Sequence, residues 1–386
     1  MPKIEPRDFL MIPGPTPVPD AVLEAVARHP IGHRTPEFSA LLKESVEGLK
    51  WLAETESDCL ILTSSGTGAM EAAISNTISA GDKVLSLVCG NFSERWAQIA
   101  EAFGAQVERL KVEPGKAITA ELVRKHLAAG NTKFHAVTIT HNETSTGVIN
   151  NVEEIGKVVR EHGALSIVDA VTSFGATELP IDKWNLDVVV SGSQKALMLP
   201  PGLGVIFFGP RAWEAKAKCK TASFYFDLAK YRKSVQADTT PFTPNVSLFA
   251  GLKTSVQMMR DEGKEAIFLR HKRMRECLRA GLRALGLELF VSDDAASPSI
   301  TAILPPAGIT VDAIRKALKQ KYRIFVADGQ EDLKGKIFRI GHMGYVFERD
   351  ILMTLGSLES VLIELGHKCN KGAAIGEAAA VLSGRK

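Results

Sequence analysis

The sequence of residues 186–195 is LDVVVSGSQK, and this stretch decides the fold. Its apolar run of strand-forming residues stops abruptly in small polar residues, which predicts a buried strand and the turn at its carboxyl end. Lys195 follows that turn, at the place where open α/β sheets bind their ligands. Taken alone, such a lysine is more often an exposed loop residue, so its neighbours must decide its role.

A second apolar run, LSIVD at residues 165–169, delivers Asp169 at the end of another predicted strand. Taken alone, Asp169 could simply cap the following helix. Together, an amine nucleophile and a buried acid at two strand ends are what an enzyme that uses pyridoxal phosphate requires. The lysine captures the aldehyde, and the acid keeps the pyridine nitrogen protonated so that the ring can accept electrons.

Helical and strand patterns alternate along the first half of the chain. The predicted helices cover 36–55, 67–78, 93–103, 119–129 and 152–162. The predicted strands cover 58–63, 83–88, 106–110, 135–140 and 165–169, followed by the runs 186–190 and 204–208. Strands that alternate with helices predict βαβ units, and hence an α/β fold with a mostly parallel sheet.

The pattern changes after residue 210. Residues 212–245 predict a less regular stretch, and residues 247–285 predict a long helix broken near Gly263. The remainder predicts a smaller α+β domain with a first strand, then a helix over 310–319, strands over 323–327 and 336–340, and a helix over 348–365.

This pattern predicts four parts of the chain. They are an extended N-terminal arm over 1–20, a large domain over 21–250, a small C-terminal domain over 251–370 and a tail over 371–386. Prolines at alternate positions from Pro13 to Pro19 keep the arm out of helices and interior strands. The Ala/Gly-rich tail is either a loosely held helix or disordered.

Composition narrows the function classes. The 386 residues are 45% hydrophobic and 24% charged, with a formal net charge of +3, so we expect no binding of nucleic acid or membrane. The five cysteines lie far apart without metal-ligand spacing, which predicts reduced thiols and no metal site. Because the sequence shows neither an apolar signal core nor a long apolar run, we expect a cytoplasmic protein.

Residues 63–71, TSSGTGAME, follow a predicted strand and open a predicted helix. Small residues let the backbone close on an anion, and hydroxyls and the helix amino end donate to it. Glu71 stands where a dinucleotide fingerprint has its third glycine, and no P-loop lysine follows. A helix cap without any ligand would explain this motif equally well.

Three further residues are candidates because of their position in or after strands. Phe92 could stack on a flat ring, although a plain core phenylalanine would show the same pattern. His141 could be a general base, but a hydrogen-bonded structural histidine is the simpler interpretation. Arg339 lies in an apolar strand, so its guanidinium predicts a bound carboxylate, which a substrate or an internal ion pair would supply.

At this point the chain resembles the class V aminotransferases of the pyridoxal phosphate fold-type I superfamily, and it is similar to serine–glyoxylate and alanine–glyoxylate aminotransferases. The motifs that carry the resemblance, between Met11 and about Leu365, are PGPTPVP (13–19), SSGTGAME (64–71), HNETSTGV (141–148), SGSQKALMLPPGLG (191–204), PFTPNVSL (241–248) and FRIGHMG (338–344). The resemblance implies a large domain with a mostly parallel seven-stranded sheet, a smaller α+β C-terminal domain and pyridoxal 5'-phosphate as cofactor.

The resemblance also implies a role for each matching position. Lys195 would form the Schiff base, and Asp169 would bind the pyridine nitrogen. Arg339 would bind the α-carboxylate of the substrate, and Gly14 would line the substrate pocket. The remaining implied cofactor contacts are Ser65, Gly66, Thr67 and Gln194 at the phosphate, Phe92 and Val171 on the two ring faces, and Thr144 at the ring hydroxyl.

Members of this family are homodimers with each active site at the subunit interface, so we expect a homodimer. Thr243 would reach the phosphate in the other subunit. Thr240 aligns with a phosphate-contacting tyrosine of some relatives, and His33 aligns with a tyrosine that enters the substrate pocket from the other subunit.

The activity that the resemblance implies is ping-pong transfer of an amino group from serine or alanine to glyoxylate. Two alternatives stay open. One is another reaction on the same cofactor, such as desulfuration of cysteine or lyase chemistry. The other is a non-catalytic protein or hydrogenase accessory protein, because some related sequences carry a soluble-hydrogenase-subunit label.

Overall fold

The computed structural model describes residues 7–130 and 132–384. The first six residues of the predicted arm and the last two of the predicted tail lie outside the described residues. The helices are α1 (Asp20–Val26), α2 (Pro36–Ala53), α3 (Gly66–Thr77), α4 (Asn91–Ala102), α5 (Ala120–Ala129), α6 (Val152–Glu161), α7 (Pro210–Lys218), α8 (Leu228–Val235), α9 (Val246–Glu262), α10 (Lys264–Ala284), α11 (Val311–Tyr322), α12 (Glu348–Glu364) and α13 (Ala373–Leu382). The strands are β1 (Phe9–Leu10), β2 (Asp58–Thr63), β3 (Lys83–Val88), β4 (Gln106–Lys111), β5 (Ala136–Thr140), β6 (Asn142–Glu143), β7 (Val148–Ile149), β8 (Leu165–Asp169), β9 (Val188–Gly192), β10 (Leu203–Phe208), β11 (Ile300–Ile303), β12 (Ile324–Phe325), β13 (Ala327–Asp328) and β14 (Phe338–Gly341).

A seven-stranded sheet forms the centre of the larger part of the molecule, with the strand order β2-β10-β9-β8-β5-β3-β4. Strand β10 is antiparallel to both of its neighbours, and the other neighbouring pairs are parallel. The predicted α/β fold with a mostly parallel seven-stranded sheet is therefore confirmed.

The central strands explain why apolar runs marked them in the sequence. Every residue of β5, β8, β9 and β10 is buried, because helices cover both faces of the sheet. The parallel strands β5, β8 and β9 lie side by side, so the loops after them meet at one edge of the sheet. That edge carries the polar residues described below.

The sequence prediction was wrong in two segments. The stretch 212–245, predicted as irregular, overlaps α7 and contains α8. The single strand predicted over 323–327 is instead split between β12, which pairs with β1 of the arm, and β13, which pairs with β14. Both errors have one cause, since these short elements are stabilised by contacts with distant segments and not by a long local pattern.

The buried apolar residues form more than one cluster. Two clusters lie on the two sides of the seven-stranded sheet, and a third contains Met11 with residues between Met274 and Ala378. Part of the predicted tail is helix α13, whose Ala374 and Ala378 are buried in the third cluster. The predicted domain boundaries at 20/21, 250/251 and 370/371 stay a prediction. None of the helices in the described part of the chain has the length and apolarity that a membrane crossing requires.

Candidate active site

Two adjoining cavities open at the carboxyl edge of the sheet and share Phe92, Thr144 and Lys195. We call the first the cofactor cavity, because its wall contains nine of the predicted cofactor contacts. They are Ser65, Gly66, Thr67, Phe92, Thr144, Asp169, Val171, Gln194 and Lys195. The second, the substrate cavity, contains Gly14 and Arg339.

Lys195 lies just beyond β9 and is held by the N-terminal arm. Its Nζ donates a hydrogen bond to the carbonyl of Pro13 at 2.5 Å, and its own carbonyl accepts one from the Thr16 hydroxyl at 2.9 Å. Gly14 has a φ of +127°, and a Cβ there would lie 2.6 Å from Lys195 Nζ. Only glycine fits this position, so the arm packs directly against the amine.

Burial lowers the pKa of Lys195 to about 8, even though the charge of Asp169 acts in the opposite direction. An amine with a lowered pKa is more often neutral at physiological pH, and the neutral amine is the nucleophile. The environment of Lys195 therefore suits the capture of an aldehyde.

Asp169 is the last residue of β8 and is buried. Its Oδ1 accepts a hydrogen bond from the Val171 amide at 2.8 Å, whereas no donor in the described part of the chain serves Oδ2. Burial raises the pKa of Asp169 to about 7, against the lowering effect of the Val171 amide. A cationic donor at Oδ2 would offset the cost of burying this charge.

Ser65, Gly66 and Thr67, at the start of α3, form a cup of small residues. The Ser65 hydroxyl caps α3 by accepting a hydrogen bond from the Gly68 amide at 3.2 Å. The amides of Gly66 and Thr67 lie in the first helical turn, and no described residue accepts a hydrogen bond from them. A Cβ on Gly66 would come within 2.9 Å of Val171, so the cup and the opposite wall are in close contact. Free amides at a helix amino end are donors suited to a phosphate.

Arg339 lies in β14 with its guanidinium buried. Its Nε and Nη2 donate to the carbonyl of Asp328 at 2.9 and 2.6 Å, and Nη1 donates to the carbonyl of Thr144 at 2.8 Å. No ion pair within residues 7–130 and 132–384 involves Arg339, so the internal-ion-pair alternative has no partner there. Burial lowers the pKa of Arg339 to about 10, against the effect of the Glu143 and Asp328 charges, which leaves it a cation at neutral pH without an ion-pair partner among the described residues.

Pyridoxal phosphate fits this set of groups. The cup offers free amides and hydroxyls to the phosphate, the carboxylate of Asp169 has a free oxygen for a protonated ring nitrogen, and Lys195 offers an amine to the aldehyde. The side-chain oxygen Oε1 of Gln194 is buried in the same cavity without any partner in the described residues. A buried polar atom without a partner is costly, so a bound ligand with polar groups is expected here.

Two residues that the sequence analysis did not single out complete the site. Glu143 is fully buried, and its carboxylate accepts hydrogen bonds from the amides of Phe92 and Ser93 at 3.2 and 2.9 Å. It thereby fixes the start of α4 and the position of Phe92. Arg95, on the next turn of α4, lines the cofactor cavity. Only the proximity of Glu143 to Thr144 in the HNET motif could have signalled its role.

Three of the residues to which the resemblance assigns a role line neither the cofactor cavity nor the substrate cavity of the single chain. Thr240 is buried and donates its hydroxyl hydrogen to the carbonyl of Phe242 at 2.8 Å, while Thr243 is exposed. His33 is half-buried and outside both cavities. Their proposed roles involve a second subunit and stay predictions.

His141 shares the sheet edge with Asp169 but lies in a different cleft. Its backbone amide donates to the Asp169 carbonyl at 2.9 Å. Its imidazole, however, lines a larger cleft that also contains Trp184 and Lys272 and does not contain Lys195. Burial lowers the pKa of His141 to about 4, so the ring is neutral. This geometry supports the structural interpretation of His141 over the catalytic one.

Comparison with known proteins identifies the family. The model of the family described as aminotransferase class-V matches residues 9–356. The chain is 52% identical to the "Soluble hydrogenase 42 kDa subunit" of Anabaena cylindrica, over 97% of this chain and 98% of that protein. It is 35% identical to a serine–glyoxylate aminotransferase of Methylorubrum extorquens, over 97% of this chain and 96% of that protein.

A solved structure of similar shape is the ureidoglycine–glyoxylate aminotransferase of Bacillus subtilis. Its TM-score is 0.92 at 31% sequence identity, and the match covers 99% of both chains. The resemblance in motifs, the fold and the cavity with Lys195 and Asp169 all lead to the same family. The chain therefore belongs to the class V aminotransferases, enzymes of the fold-type I class whose cofactor is pyridoxal phosphate.

Proposed function

We propose that this aminotransferase moves an amino group from serine or alanine to glyoxylate by a ping-pong mechanism, giving glycine and either hydroxypyruvate or pyruvate. One observation carries the proposal: an amine, a buried carboxylate and a guanidinium without an ion pair converge on two adjoining cavities. The relative from Methylorubrum and the structure from Bacillus have different donors in their names but share glyoxylate.

Arg339 and Lys195 have different roles in the proposed transamination. Arg339 binds the carboxylate of the amino acid through its fork, because a guanidinium matches a carboxylate in bidentate fashion. As general base, Lys195 Nζ would take the proton from the substrate's Cα, and as general acid it would deliver that proton to the aldehyde carbon of the cofactor. When bound, pyridoxal phosphate supplies a ring that accepts the electron pair left at that carbon.

Asp169 and the cavity walls keep the ring in its reactive state. The carboxylate of Asp169 would keep the ring nitrogen protonated, and the protonated ring is the form that accepts electrons. Phe92 and Val171 exclude water from the two faces of the ring. The arm leaves little space beside Lys195, since Pro13 and Gly14 contact the amine. A small acceptor such as glyoxylate suits this restricted space.

We propose further that the enzyme is a homodimer in which Thr243, Thr240 and His33 act at the interface. Exposed aromatic side chains support this, because Phe224 is 74% exposed and Tyr225 is 40% exposed beside the segment with Thr240. Large apolar side chains in solvent often mark an interface. The five free cysteines support a reducing compartment, and we propose the cytoplasm.

The desulfurase alternative lacks a suitable thiol in the C-terminal third. Burial raises the pKa of Cys277 to about 11, and burial also raises the pKa of Cys369. Both thiols are therefore protonated at neutral pH, whereas a nucleophilic cysteine needs a lowered pKa.

The second alternative is a hydrogenase accessory protein, because the Anabaena relative is named as a hydrogenase subunit. Among the described residues, no three His, Cys, Asp or Glu side chains come together in a way that could hold a metal ion. A purified protein that stays colourless and inactive after addition of pyridoxal phosphate would favour this alternative.

A half-reaction experiment tests the proposed donors and acceptor. The holoenzyme is mixed with serine, alanine, aspartate or cysteine alone, and conversion of the cofactor from its aldehyde to its amine form is followed by absorbance. We expect serine or alanine to convert the cofactor fastest, and glyoxylate to restore the aldehyde form. Faster conversion by aspartate, or recovery with pyruvate but not with glyoxylate, would refute the substrate assignment while leaving the aminotransferase family intact.

A further inference from the structure

Arg95 lies at the edge of the cofactor cavity, and no described carboxylate forms an ion pair with it. It lies on α4 and is half-buried. Its neighbour Glu94 forms ion pairs with Arg109 and Lys111, but no ion pair in the described part of the chain involves Arg95. An arginine with free charge beside a cavity is available for an anionic ligand.

The guanidinium of Arg95 makes two contacts with predicted cofactor-binding residues. Nη1 donates a hydrogen bond to the Thr67 hydroxyl oxygen at 3.0 Å. The guanidinium carbon also lies 4.8 Å from the centroid of the Phe92 ring, within the range of a cation–π contact. Arg95 therefore connects the cup at the start of α3 with the stacking ring.

The hydrogen bond to Thr67 has a consequence for the hydroxyl hydrogen. Because Thr67 Oγ1 accepts from Arg95, its own hydrogen remains available for another acceptor. The amides of Gly66 and Thr67 in the same cup are also free. These donors surround the place where the phosphate is expected.

The charge of the phosphate needs a counter-charge that the cup itself lacks. Ser65, Gly66, Thr67 and Gln194 are neutral, and the amine of Lys195 is engaged by the aldehyde. Within the wall of the cofactor cavity, the remaining basic side chain is Arg95. The charge of Arg95 acts on both ionisable groups of the site, because it adds to the effect of burial that lowers the pKa of Lys195 and opposes the rise that burial causes in the pKa of Asp169.

We propose that Arg95 is a cofactor-binding residue that provides the counter-charge of the phosphate through Thr67 and supports the Phe92 ring through its cation–π contact. A cation beside the Phe92 ring is attracted by the ring's electrons and helps to hold the ring in place. The proposal rests on the family's cofactor and does not depend on which amino donor is used.

Binding of two aldehydes, one with and one without a phosphate, distinguishes the effect of Arg95 on the phosphate from its effect on the Phe92 ring. Apoenzyme is titrated with pyridoxal phosphate and with pyridoxal, which lacks the phosphate, and dissociation constants are read from the absorbance of the lysine-bound cofactor. For Arg95→Met we expect about tenfold weaker binding of pyridoxal phosphate, the size of one lost charge-assisted contact, and at most about threefold weaker binding of pyridoxal, the size of a cation–π contact. Arg95→Lys, which keeps the charge, should lie between the wild type and Arg95→Met for pyridoxal phosphate.

Every outcome bears on the proposal. Equal weakening of both aldehydes would show that Arg95 only supports Phe92, and no change in either would remove it from the site. Arg124→Met, an exposed arginine paired with Glu161, is the control for loss of a positive charge. If Arg95→Met does not fold, Arg95→Gln decides in its place, because it keeps a hydrogen-bond donor for Thr67, removes the charge and carries the same two expectations. No amino acid is present in these titrations, so a wrong donor assignment would not affect them.

Discussion

The cofactor cavity and the cleft around His141 lie at the same edge of one sheet and differ in how their polar groups are satisfied. In the cleft, the Asn150 side chain is fully used, accepting from the Ile118 amide and donating to the Thr140 carbonyl, both at 2.7 Å. In the cofactor cavity, one oxygen of Asp169, the amides of Gly66 and Thr67, and Gln194 Oε1 have no partner in the described chain.

The cleft is the larger of the two, so size alone would select the wrong site. Its one buried polar atom without a partner among the described residues is His141 Nδ1. Several unpaired donors and acceptors around one cavity indicate a polar ligand more reliably than volume does, because a bound ligand would satisfy all of them at once. The following predictions test this contrast.

Replacing the nucleophile should have the largest effect. Lys195→Ala should abolish the absorbance band of the lysine-bound cofactor and reduce turnover by roughly 10⁴-fold, because the variant loses both the covalent link and the general base. Lys272→Ala, in the cleft of His141, is the matched control and should keep both the band and the turnover. A Lys195→Ala protein that retains both would show that the nucleophile is misassigned.

Neutralising the buried acid should have the next largest effect. Asp169→Asn should still bind the cofactor but transaminate roughly 10²–10³-fold more slowly, because an amide does not stabilise a protonated ring nitrogen. The measurement is the rate of the half-reaction by stopped-flow absorbance. Asp187→Asn removes another buried carboxylate, paired with Arg211 and Arg160, and should lower thermal stability without slowing this step. Wild-type rates in Asp169→Asn would contradict the electron-accepting role of the ring.

Some residues of the cofactor cavity and of the cleft can be predicted from the sequence, and others cannot. Asp169 and Lys195 were identifiable because buried parallel strands are apolar runs, and polar residues just after them meet at one edge. His141 follows a similar run and was equally visible, but which cavity its side chain lines depends on the direction in which the chain leaves β5. The strand pattern therefore predicts that a residue lies at the carboxyl edge of the sheet, but it does not predict which cavity its side chain lines.

Glu143 and Arg95 were missed for a different reason. A charged residue on a helix such as α4 is usually a solvated one, so Arg95 showed no local signal. Glu143 is buried by contacts with Phe92 and Ser93, which are distant in sequence. Thr240, Thr243 and His33 are a third case, since a second chain would have to complete their environment.

The pH dependence of cofactor capture tests the environment of Lys195. With a pKa of about 8, below the ordinary value of 10.5, half of the amine is neutral at pH 8, and the neutral fraction approaches completion well above that pH and is lost as the pH falls. The rate of capture by apoenzyme should therefore decrease about tenfold for each pH unit below 8 and level off above it. Rates are measured from the growth of the absorbance band. A rate that keeps rising to pH 10 would mean that burial does not lower this pKa.

Changing the carboxylate-binding group should have a moderate effect on binding. Arg339→Lys keeps the charge but loses the fork, so KM for the amino donor should rise about tenfold with a smaller change in kcat. Arg349→Lys, an exposed arginine of α12, is the matched control. An unchanged KM in Arg339→Lys would remove Arg339 from the substrate site.

The smallest effect is expected in the cleft of His141. His141→Gln keeps a polar side chain against Trp184, so kcat and KM should stay within about twofold of the wild type if the ring serves only packing and hydrogen bonding. Thermal unfolding should show a modest loss of stability, since the ring is fully buried. A fall in kcat with unchanged cofactor binding would show that the two cavities are coupled through the backbone hydrogen bond from His141 to Asp169, and the cleft would then belong to the active site.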